Sequence, residues 1–348
     1  MIVRSPGARR HLHPGVVAPV ALALLVAGLV VSGMIGPSPT AAGDVLDIAY
    51  RRAHGVEYVS PGDRLVSEIR LPRGVLAAVV GVALGVVGCV LQAVVRNPLA
   101  DPGILGGTSG ASLGAVLAIV LGAVGPVAGL GVPAGAFIGA AGGFGLSMML
   151  AARPTGLSPL RLVLAGMAVS FLLSALANVV VMRAGDDRKM RSAVFWQMGS
   201  VADATWHTLL LPLVLLVPGT VWLMVRARRL DALAFGDDTA MALGMSPSQL
   251  RLELLVIAAL LTGVCVAVAG GVGFVALVVP HAVRIVVGPI HRRLLPCVAV
   301  AGAAFLTWAD VAARVVAPPA DVPLGVVTAL VGAPVFAALL RTGMNGGE

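Results

Sequence analysis

Long apolar stretches alternate with short polar connections along almost the whole chain. A helix that spans a bilayer needs about 20 predominantly apolar residues. The strands of a membrane barrel would give short alternating segments instead. The pattern therefore predicts an all-α polytopic membrane protein with about ten transmembrane helices. The ten predicted spans are Val16–Gly36, Gly74–Val95, Ile104–Leu121, Pro133–Ala152, Arg161–Met182, Thr208–Val225, Leu252–Ala269, Phe274–Gly288, Leu294–Ala313 and Pro323–Leu340.

The stretch 252–288 could be one long span or two shorter ones. Glycines at 270, 271 and 273 favour a turn, and Pro280 interrupts regular helix. Two crossings place the basic segment 291–293 on the same side as the arginines of 226–251, whereas one crossing separates them. The first arrangement agrees better with the excess of basic residues in cytoplasmic loops. We therefore predict two helices here.

Composition strengthens the membrane assignment. The chain of 348 residues is 58% apolar and 11% charged, and its mean hydropathy is +0.99. A soluble domain has about 25% charged residues. The net charge of +8 comes almost wholly from arginine, without the interleaved aromatics of a nucleic-acid surface. The three cysteines lie singly in apolar runs, so we expect no disulfide, metal site or cofactor.

The loop charges also predict an orientation. With ten spans and a cytoplasmic amino terminus, 14 of the 24 basic residues lie inside. The carboxyl terminus is then cytoplasmic as well. The predicted organisation is a basic cytoplasmic tail (1–15), a single ten-helix domain (16–341) and a short carboxyl-terminal tail (342–348).

The chain carries no recognisable site for ATP. A P-loop needs a lysine after its glycine-rich turn to reach the phosphates. Lys189 is the single lysine of the sequence, and it lies in Gly-Asp-Asp-Arg-Lys-Met. Any work driven by ATP must therefore come from a separate subunit.

The longest predicted cytoplasmic connection, 226–251, has the features of two short helices. Asp237 and Asp238 follow Gly236, and Gly244 comes after the apolar residues, which suits the start and the end of a helix. Ser246 and Pro247 then suit the start of the next helix. The segment is either a knob that inserts into a partner or a plain connector.

Two polar constellations lie within the apolar runs. Ser109 in a Gly-Thr-Ser-Gly motif and His281 in another span match the dyad of an intramembrane serine protease, if they lie within hydrogen-bond distance. Alternatively, Ser109 starts a helix, and the glycines beside it permit close packing. Asp310 and Arg314 are four residues apart and can pair on one helix face.

Ordered motifs over roughly 64–341 resemble the iron-chelate and cobalamin permease family of ABC importers (FecCD type). The motifs in chain order are Arg70-Leu71-Pro72-Arg73, Arg96-Asn97-Pro98-Leu99-Ala100-Asp101-Pro102, Trp196-x-Met198-Gly199-Ser200, Gly236-Asp237 through Leu243-Gly244, Pro280-His281, His291-Arg292, Asp310 with Arg314, and Pro323-Leu324-Gly325. The chain departs from the family pattern at Ala276, where glycine is frequent, and at Ile290, where aspartate is frequent.

The resemblance implies a bacterial cytoplasmic-membrane permease that works by alternating access and catalyses no reaction. It implies a second permease subunit, with a homodimer as the expected form, two cytoplasmic ATP-binding subunits and an extracytoplasmic substrate-binding protein. The expected ligand is an iron chelate, either a ferric siderophore or haem, with cobalamin as the alternative. A channel or secondary transporter, which would need no ATP, is a further possibility.

The resemblance also implies roles for particular residues. Arginines before the second span and after the ninth are expected to meet acids of the binding protein. The connection 226–251, which we call the coupling segment, is expected to contact the ATPase. Residues near the fifth and tenth spans are expected to line or gate the pathway. The three sets are Arg70, Arg73 and Arg314 for docking; Gly236, Asp237, Asp238, Ala240, Leu243 and Gly244 for coupling; and Trp196, Gly199, Ser158 and Pro159 for the pathway and its gate.

Overall fold

The computed structural model describes residues 12–36, 39–56, 60–122, 131–154 and 156–344. Within these ranges all regular secondary structure is helical. The helices are α1 (Pro14–Met34), α2 (Ala42–Ala53), α3 (Pro61–Leu65), α4 (Leu71–Val94), α5 (Gly107–Leu121), α6 (Gly131–Ala151), α7 (Pro159–Met182), α8 (Asp187–Gln197), α9 (Trp206–Val225), α10 (Ala227–Phe235), α11 (Asp237–Ala242), α12 (Pro247–Ala269), α13 (Val275–Val287), α14 (His291–Val315) and α15 (Leu324–Met344).

Each of the ten predicted apolar runs coincides with one of these helices. Seven helical stretches are long and apolar enough to cross a membrane: α1, the continuous stretch Pro61–Val94, α6, α7, α9, α12 and α14. Three shorter apolar helices accompany them, namely α5, α13 and the Leu324–Ala338 part of α15. Residues 1–11 of the predicted amino-terminal tail and 345–348 of the carboxyl-terminal tail lie outside the described residues.

The predicted break between α12 and α13 is present. Gly270 ends α12 with φ of 67°, and Phe274 begins α13 with φ of 66°. Left-handed backbone is costly for a non-glycine residue, so the break depends on the packing around it. The backbone N–H of His291 donates to Asp231 Oδ1 at 2.9 Å, which places the start of α14 beside α10. The segment 291–293 therefore lies at the same end of the bundle as 226–251, as two helices require.

Helix α4 lies at the centre of the bundle, packed on α12, α13 and α14. Glycines lie where α4 crosses its neighbours, and there the two backbones are in direct contact. A Cβ added at Gly81 would lie 2.2 Å from the carbonyl oxygen of Gly302. A Cβ at Gly88 would lie 2.1 Å from the carbonyl oxygen of Ala276. Close backbone approach of this kind is how helices gain van der Waals contact in a membrane.

Helices α5 and α6 meet through two glycine series at four-residue spacing. A Cβ at Gly110 would lie 2.1 Å from the carbonyl oxygen of Gly139, and one at Gly114 would lie 1.9 Å from that of Gly135. The ring of Phe144 occupies the space that a Cβ at Gly107 would need. The prediction that glycines at the start of this helix permit close packing is confirmed.

The connections between helices gather at two ends of the bundle. At one end, which we call the Arg73 end, Arg73 pairs with Asp321 and the Trp206 indole donates to the carbonyl oxygen of Ser67 at 2.8 Å. At the other, the Arg251 end, Arg251 donates to the carbonyl oxygen of Leu157 at 3.0 Å. The amino-terminal Leu12 also lies at the Arg251 end, where its N–H donates to the carbonyl oxygen of Val286 at 2.8 Å.

Candidate partner-binding ends and central cavity

A buried carboxylate organises the Arg73 end. Asp310 is 1% exposed and accepts from the Arg73 Nε at 2.9 Å, while Arg73 Nη2 lies 2.9 Å from the same carboxylate. The Arg314 guanidinium lies 3.2 Å from the other oxygen of Asp310. The predicted pairing of Asp310 with Arg314 is therefore confirmed, and Arg73 from α4 completes a bridge of two guanidinium groups across one carboxylate.

The same arginines hold the end of α1. Arg314 Nη1 donates to the carbonyl oxygen of Ser32 at 3.0 Å. Arg70 donates to the carbonyl oxygen of Gly33 at 3.0 Å and to the Thr40 hydroxyl at 3.2 Å. The last carbonyl groups of a helix have no partner within it, so these guanidinium groups satisfy them. Arg70 is only 4% exposed, and the docking role assigned to these arginines stays a prediction.

Arg73 also reaches the surface through a second acid. Its Nη1 lies 2.7 Å from Asp321 Oδ2, and the Asp321 side chain is 41% exposed. Asp321 belongs to the connection between α14 and α15 and lines a cavity of about 610 Å³. Arg73 is therefore bonded to one buried and one accessible carboxylate, and the accessible one stands at the edge of the cavity.

Trp196 and Gly199, two of the predicted pathway residues, line this cavity. The corner after α8 is fixed by backbone contacts. Gly199 has φ of 76°, its carbonyl accepts from the Leu324 N–H at 2.9 Å, and the Ser200 N–H donates to the carbonyl oxygen of Ala269 at 2.8 Å. The ends of α8, α12 and the start of α15 therefore form one wall of a largely apolar chamber.

Ser158 and Pro159, the other two predicted gate residues, lie elsewhere. Ser158 precedes α7 and Pro159 is its first residue. The preceding Leu157 is bonded at both backbone groups, since its N–H donates to the Ser248 hydroxyl at 3.3 Å and its carbonyl accepts from Arg251. The structure thus brings Ser158 and Pro159 to the Arg251 end and not to the cavity with Trp196.

The segment 226–251 contains the two short helices α10 and α11. The helix start predicted at Ser246 and Pro247 is that of the long helix α12, so the second short helix is α10. Asp237 and Asp238 occupy the first turn of α11, and Gly244 follows its end with φ of 74°. Ala240 is fully buried, whereas Leu243 is 65% exposed. Two further apolar side chains are exposed on the same segment, Phe235 at 81% and Met241 at 54%. Helices α10 and α11, which we call the knob, therefore present apolar side chains that the described residues leave exposed.

Arg251 is the residue that fastens this knob to the bundle. Its side chain is 2% exposed and donates to both carboxylate oxygens of Asp237, one of them at 3.0 Å. It also donates to the carbonyl oxygen of Val94, the last residue of α4, at 3.3 Å, and to that of Leu157. Hydrogen bonds from Arg251 lower the pKa of Asp237 below its usual range. One guanidinium therefore links α11, α4 and the start of α7.

This role of Arg251 is hard to predict from the sequence. There the residue is one of several arginines in a predicted cytoplasmic connection. Its position within the first turns of an otherwise apolar helix could have indicated a buried charge, since such a charge needs a partner. Asp237, however, is predicted at the start of a short helix and in the coupling set, and neither role indicates an arginine partner.

The serine protease dyad is not formed. Ser109 Oγ and both ring nitrogens of His281 are buried and make no hydrogen bond within the described part of the chain. His281 instead packs edge-on against the ring of Phe336, with ring centroids 6.0 Å apart. Ser109 lies in the first turn of α5, as the structural alternative predicted.

The model of the FecCD transport family matches residues 24–342. The chain belongs to the FecCD transport family. The resemblance inferred from the motifs is thus confirmed, and the hypothesis of an intramembrane protease is wrong, because family relatives are transport permeases and the dyad is absent from the described residues.

Relatives of this FecCD chain are named for different transported ligands. The cobalamin import system permease BtuC of Halobacterium salinarum is 39% identical, over 91% of this chain and 94% of its own length. The hemin transport system permease HmuU of Yersinia pestis is 42% identical, over 78% of this chain and 81% of its own. The Fe(3+)-citrate import system permease YfmD of Bacillus subtilis is 35% identical, over 94% of each chain.

Solved structures share the fold. A transporter assigned to the metal-chelate type of ABC transporter, in an inward-facing conformation, has a TM-score of 0.82 and 32% identity, and the match covers 94% of this chain and 99% of that one. PsaBC of Streptococcus pneumoniae has a TM-score of 0.54 at 16% identity, covering 85% and 95%, and shows the fold alone.

Proposed function

We propose that this chain is the permease subunit of an ATP-driven importer of an iron chelate, either a ferric siderophore or haem. One observation carries the proposal. The exposed apolar knob of α10 and α11 is bonded through Arg251 to the interior helices α4 and α7, so a partner that pushes on the knob moves the bundle. Two cytoplasmic ATP-binding subunits are the proposed partners at this knob.

The proposed topology has ten crossings, with both termini in the cytoplasm of a bacterial cell. Its support is the sorting of connections into the Arg73 end and the Arg251 end, which a chain that crosses at every long apolar helix would produce. Leu12 lies at the Arg251 end, and that end also holds the arginines of 226–229 and 291–293. An end rich in arginine is the cytoplasmic one by the usual charge bias.

In this mechanism the ATPases close on ATP and draw the two knobs together. Arg251 passes the movement to the end of α4 and, through Leu157, to the start of α7 beside Ser158 and Pro159. The cavity at Trp196 and Gly199 then changes its access from one side to the other. A largely apolar chamber binds its ligand weakly, which lets a bulky chelate leave. No covalent bond is made or broken in this chain.

The extracytoplasmic binding protein is proposed to dock at the Arg73 end. An acid of the binding protein would compete with Asp321 for Arg73, because Asp321 is the accessible one of its two carboxylate partners. Releasing Asp321 frees the connection between α14 and α15, which lines the cavity. Docking would then be linked to opening of the outer side. Arg70 and Arg314 would hold the end of α1 during this exchange.

A second copy of this chain is the proposed partner within the membrane. Helix α7 leaves large apolar side chains uncovered, among them Phe171 at 72% and Leu164 at 58% exposure. Leu330 on α15 is 70% exposed. A homodimer that places α7 and α15 around a shared pathway would cover part of this surface, and lipid would cover the rest.

The proposed ligand class follows from the relatives and the chamber. Phe195 and Trp196 give the cavity an aromatic side, which suits a large and partly apolar chelate. Relatives named for hemin and for Fe(3+)-citrate support iron. Cobalamin is the second candidate, because the BtuC relative of Halobacterium salinarum matches over 91% of this chain.

Cross-linking tests the proposed ATPase contact. Leu243→Cys is expected to cross-link to the co-expressed ATP-binding subunit, because this side chain is exposed on the knob and the three native cysteines are buried. Val316→Cys is the matched control, since it is 71% exposed at the Arg73 end and should not react with the ATPase. Equal labelling of the ATPase from both positions, or none from Leu243→Cys, would refute the contact.

A further inference from the structure

A second cavity lies at the Arg251 end, where α9 and α10 meet the start of α14. Its volume is about 530 Å³. It is lined by the guanidinium groups of Arg228 and Arg292 on one side and by Val221, Val225 and Pro296 on the other. The apolar wall belongs to membrane-spanning helices, with Val225 76% exposed. The cavity therefore joins a basic rim to a surface that faces the acyl chains.

The two arginines at this rim have no acidic partner among the described residues. Neither Arg228 nor Arg292 makes an ion pair within the residues that the structure describes, and both are exposed. Two acids of the neighbouring helices have other partners, since Glu253 lies 3.5 Å from Arg226 and Asp231 lies 2.7 Å from the cavity residue His291. The rim thus has positive charge available for an anion.

His291 supplies an independent observation. It lines the cavity and is only 4% exposed. Its Nδ1 is bonded to Asp231, and its Nε2 is buried with no hydrogen-bond partner among the described residues. A buried polar atom without a partner is costly, so a hydrogen-bonding ligand at this position would be favourable. Because Nδ1 faces the Asp231 carboxylate, it holds the imidazole proton, and Nε2 can accept a hydrogen bond from a hydroxyl of a headgroup.

From this geometry we infer that the cavity binds the headgroup of an anionic phospholipid. Two guanidinium groups suit the oxygens of a phosphate, with which arginine forms paired hydrogen bonds. The acyl chains would lie along Val221 and Val225. Basic pockets between membrane helices on the cytoplasmic side bind anionic headgroups in this manner. A protein partner is less suitable, because the apolar wall continues into the membrane. The site lies against α10, so the lipid would steady the root of the coupling knob.

The chain offers a matched control for every charge that is removed. Arg229 and Arg293 are the sequence neighbours of Arg228 and Arg292, are also exposed, and are not among the residues that line the cavity. The double substitutions R228Q/R292Q and R229Q/R293Q therefore change the net charge by the same amount on the same two helices. All four positions are at the surface, so both variants are expected to fold.

The experiment measures lipid binding to the purified full-length chain after delipidation in detergent. Phosphatidylglycerol, phosphatidylcholine with the same acyl chains, and inorganic phosphate are added separately, and bound lipid is counted by native mass spectrometry. We expect R228Q/R292Q to weaken phosphatidylglycerol binding roughly thirtyfold, from two charges near the membrane surface. R229Q/R293Q should weaken it by less than about threefold, and phosphatidylcholine should not distinguish the variants.

Three outcomes would overturn the proposal. Equal losses in the two double variants would show a diffuse effect of surface charge. Binding of inorganic phosphate as tight as that of phosphatidylglycerol would show an anion site and not a lipid site. If R228Q/R292Q bound lipid normally but no longer co-purified with the co-expressed ATP-binding subunit, the surface would be assigned to a protein partner. None of these outcomes bears on whether the chain is an importer permease, which the cross-link at Leu243 tests separately.

Discussion

Replacing Arg251 with glutamine is expected to stop uptake while the assembled importer continues to hydrolyse ATP. The shorter neutral side chain cannot bond Asp237, Val94 and Leu157 together, so movement of the knob no longer reaches α4 or α7. The loss of a buried charge partner costs about 3 kcal/mol, at the lower end of the range because the Asp237 side chain is 36% exposed. Uptake, ATP hydrolysis and the Tm of the same preparation measure these effects.

Arg226→Gln is the control for this prediction. Arg226 lies in the same segment and pairs with Glu253 at 3.5 Å, with side-chain exposures of 28% and 46%. A pair of this kind is worth less than about 1 kcal/mol. Arg226 also stacks on Trp222 at 4.0 Å, which is a modest contact at the surface. Normal uptake in the Arg251→Gln variant, or an equal loss in the two variants, would show that Arg251 does not transmit the movement.

Asp310→Asn is expected to cause the largest loss of stability among single substitutions at the Arg73 end. The carboxylate is 1% exposed and separates two guanidinium groups, those of Arg73 and Arg314. An amide leaves both cations facing one another without the buried charge that compensates them. Breaking a buried ion pair in this way costs about 3–5 kcal/mol. The Tm in detergent should fall strongly, and less folded protein should be recovered from the membrane.

Asp321→Asn provides the comparison, because Asp321 binds the same arginine but is 41% exposed. Its removal should cost less than about 1 kcal/mol. If binding-protein acids compete with Asp321 for Arg73, this variant should also bind the binding protein more tightly. Similar Tm values for the two variants would contradict the assignment of Asp310 as the buried centre of the cluster.

Replacing Arg70 and Arg73 with glutamate would not test docking cleanly. Both guanidinium groups are engaged inside the chain, Arg70 by the end of α1 and Arg73 by Asp310. A glutamate at Arg73 would place a second carboxylate beside Asp310, so lost uptake would report damaged folding as well as lost docking. The Asp321→Asn variant changes the accessible bond and leaves the buried one in place.

Local signals were sufficient to predict the helices of the membrane domain. Apolar run length located them, and the glycines of 270–273 located the break between α12 and α13. The acidic pair after Gly236 and the glycine at 244 located α11. These features act within a few residues of the chain, so a sequence reveals them. The second predicted span began too late, at Gly74, because the arginines before it ended the apolar run although the helix continues from Pro61.

The side-chain hydrogen bonds and ion pairs that join distant helices could not be predicted in this way. Arg251 reaches a carbonyl 157 residues away in sequence, and Arg73 reaches Asp310 across 237 residues. The acceptors of Arg70 are backbone carbonyl groups, which any residue type can supply. Nothing in the local sequence distinguishes a buried, bonded arginine from an exposed one that meets a partner. The division of the predicted gate residues between two ends has the same cause.

The decisive test of whether a separate ATPase drives ligand through this chain is uptake into reconstituted liposomes. The permease, its ATP-binding subunits and the binding protein are combined, and ferric siderophore, haem and cobalamin are supplied outside with ATP trapped inside. We expect uptake of an iron chelate that requires hydrolysable ATP in the lumen and persists when ion gradients are dissipated. Uptake at the same rate without ATP would rule out a separate ATPase as the motor and would indicate a channel or a secondary transporter.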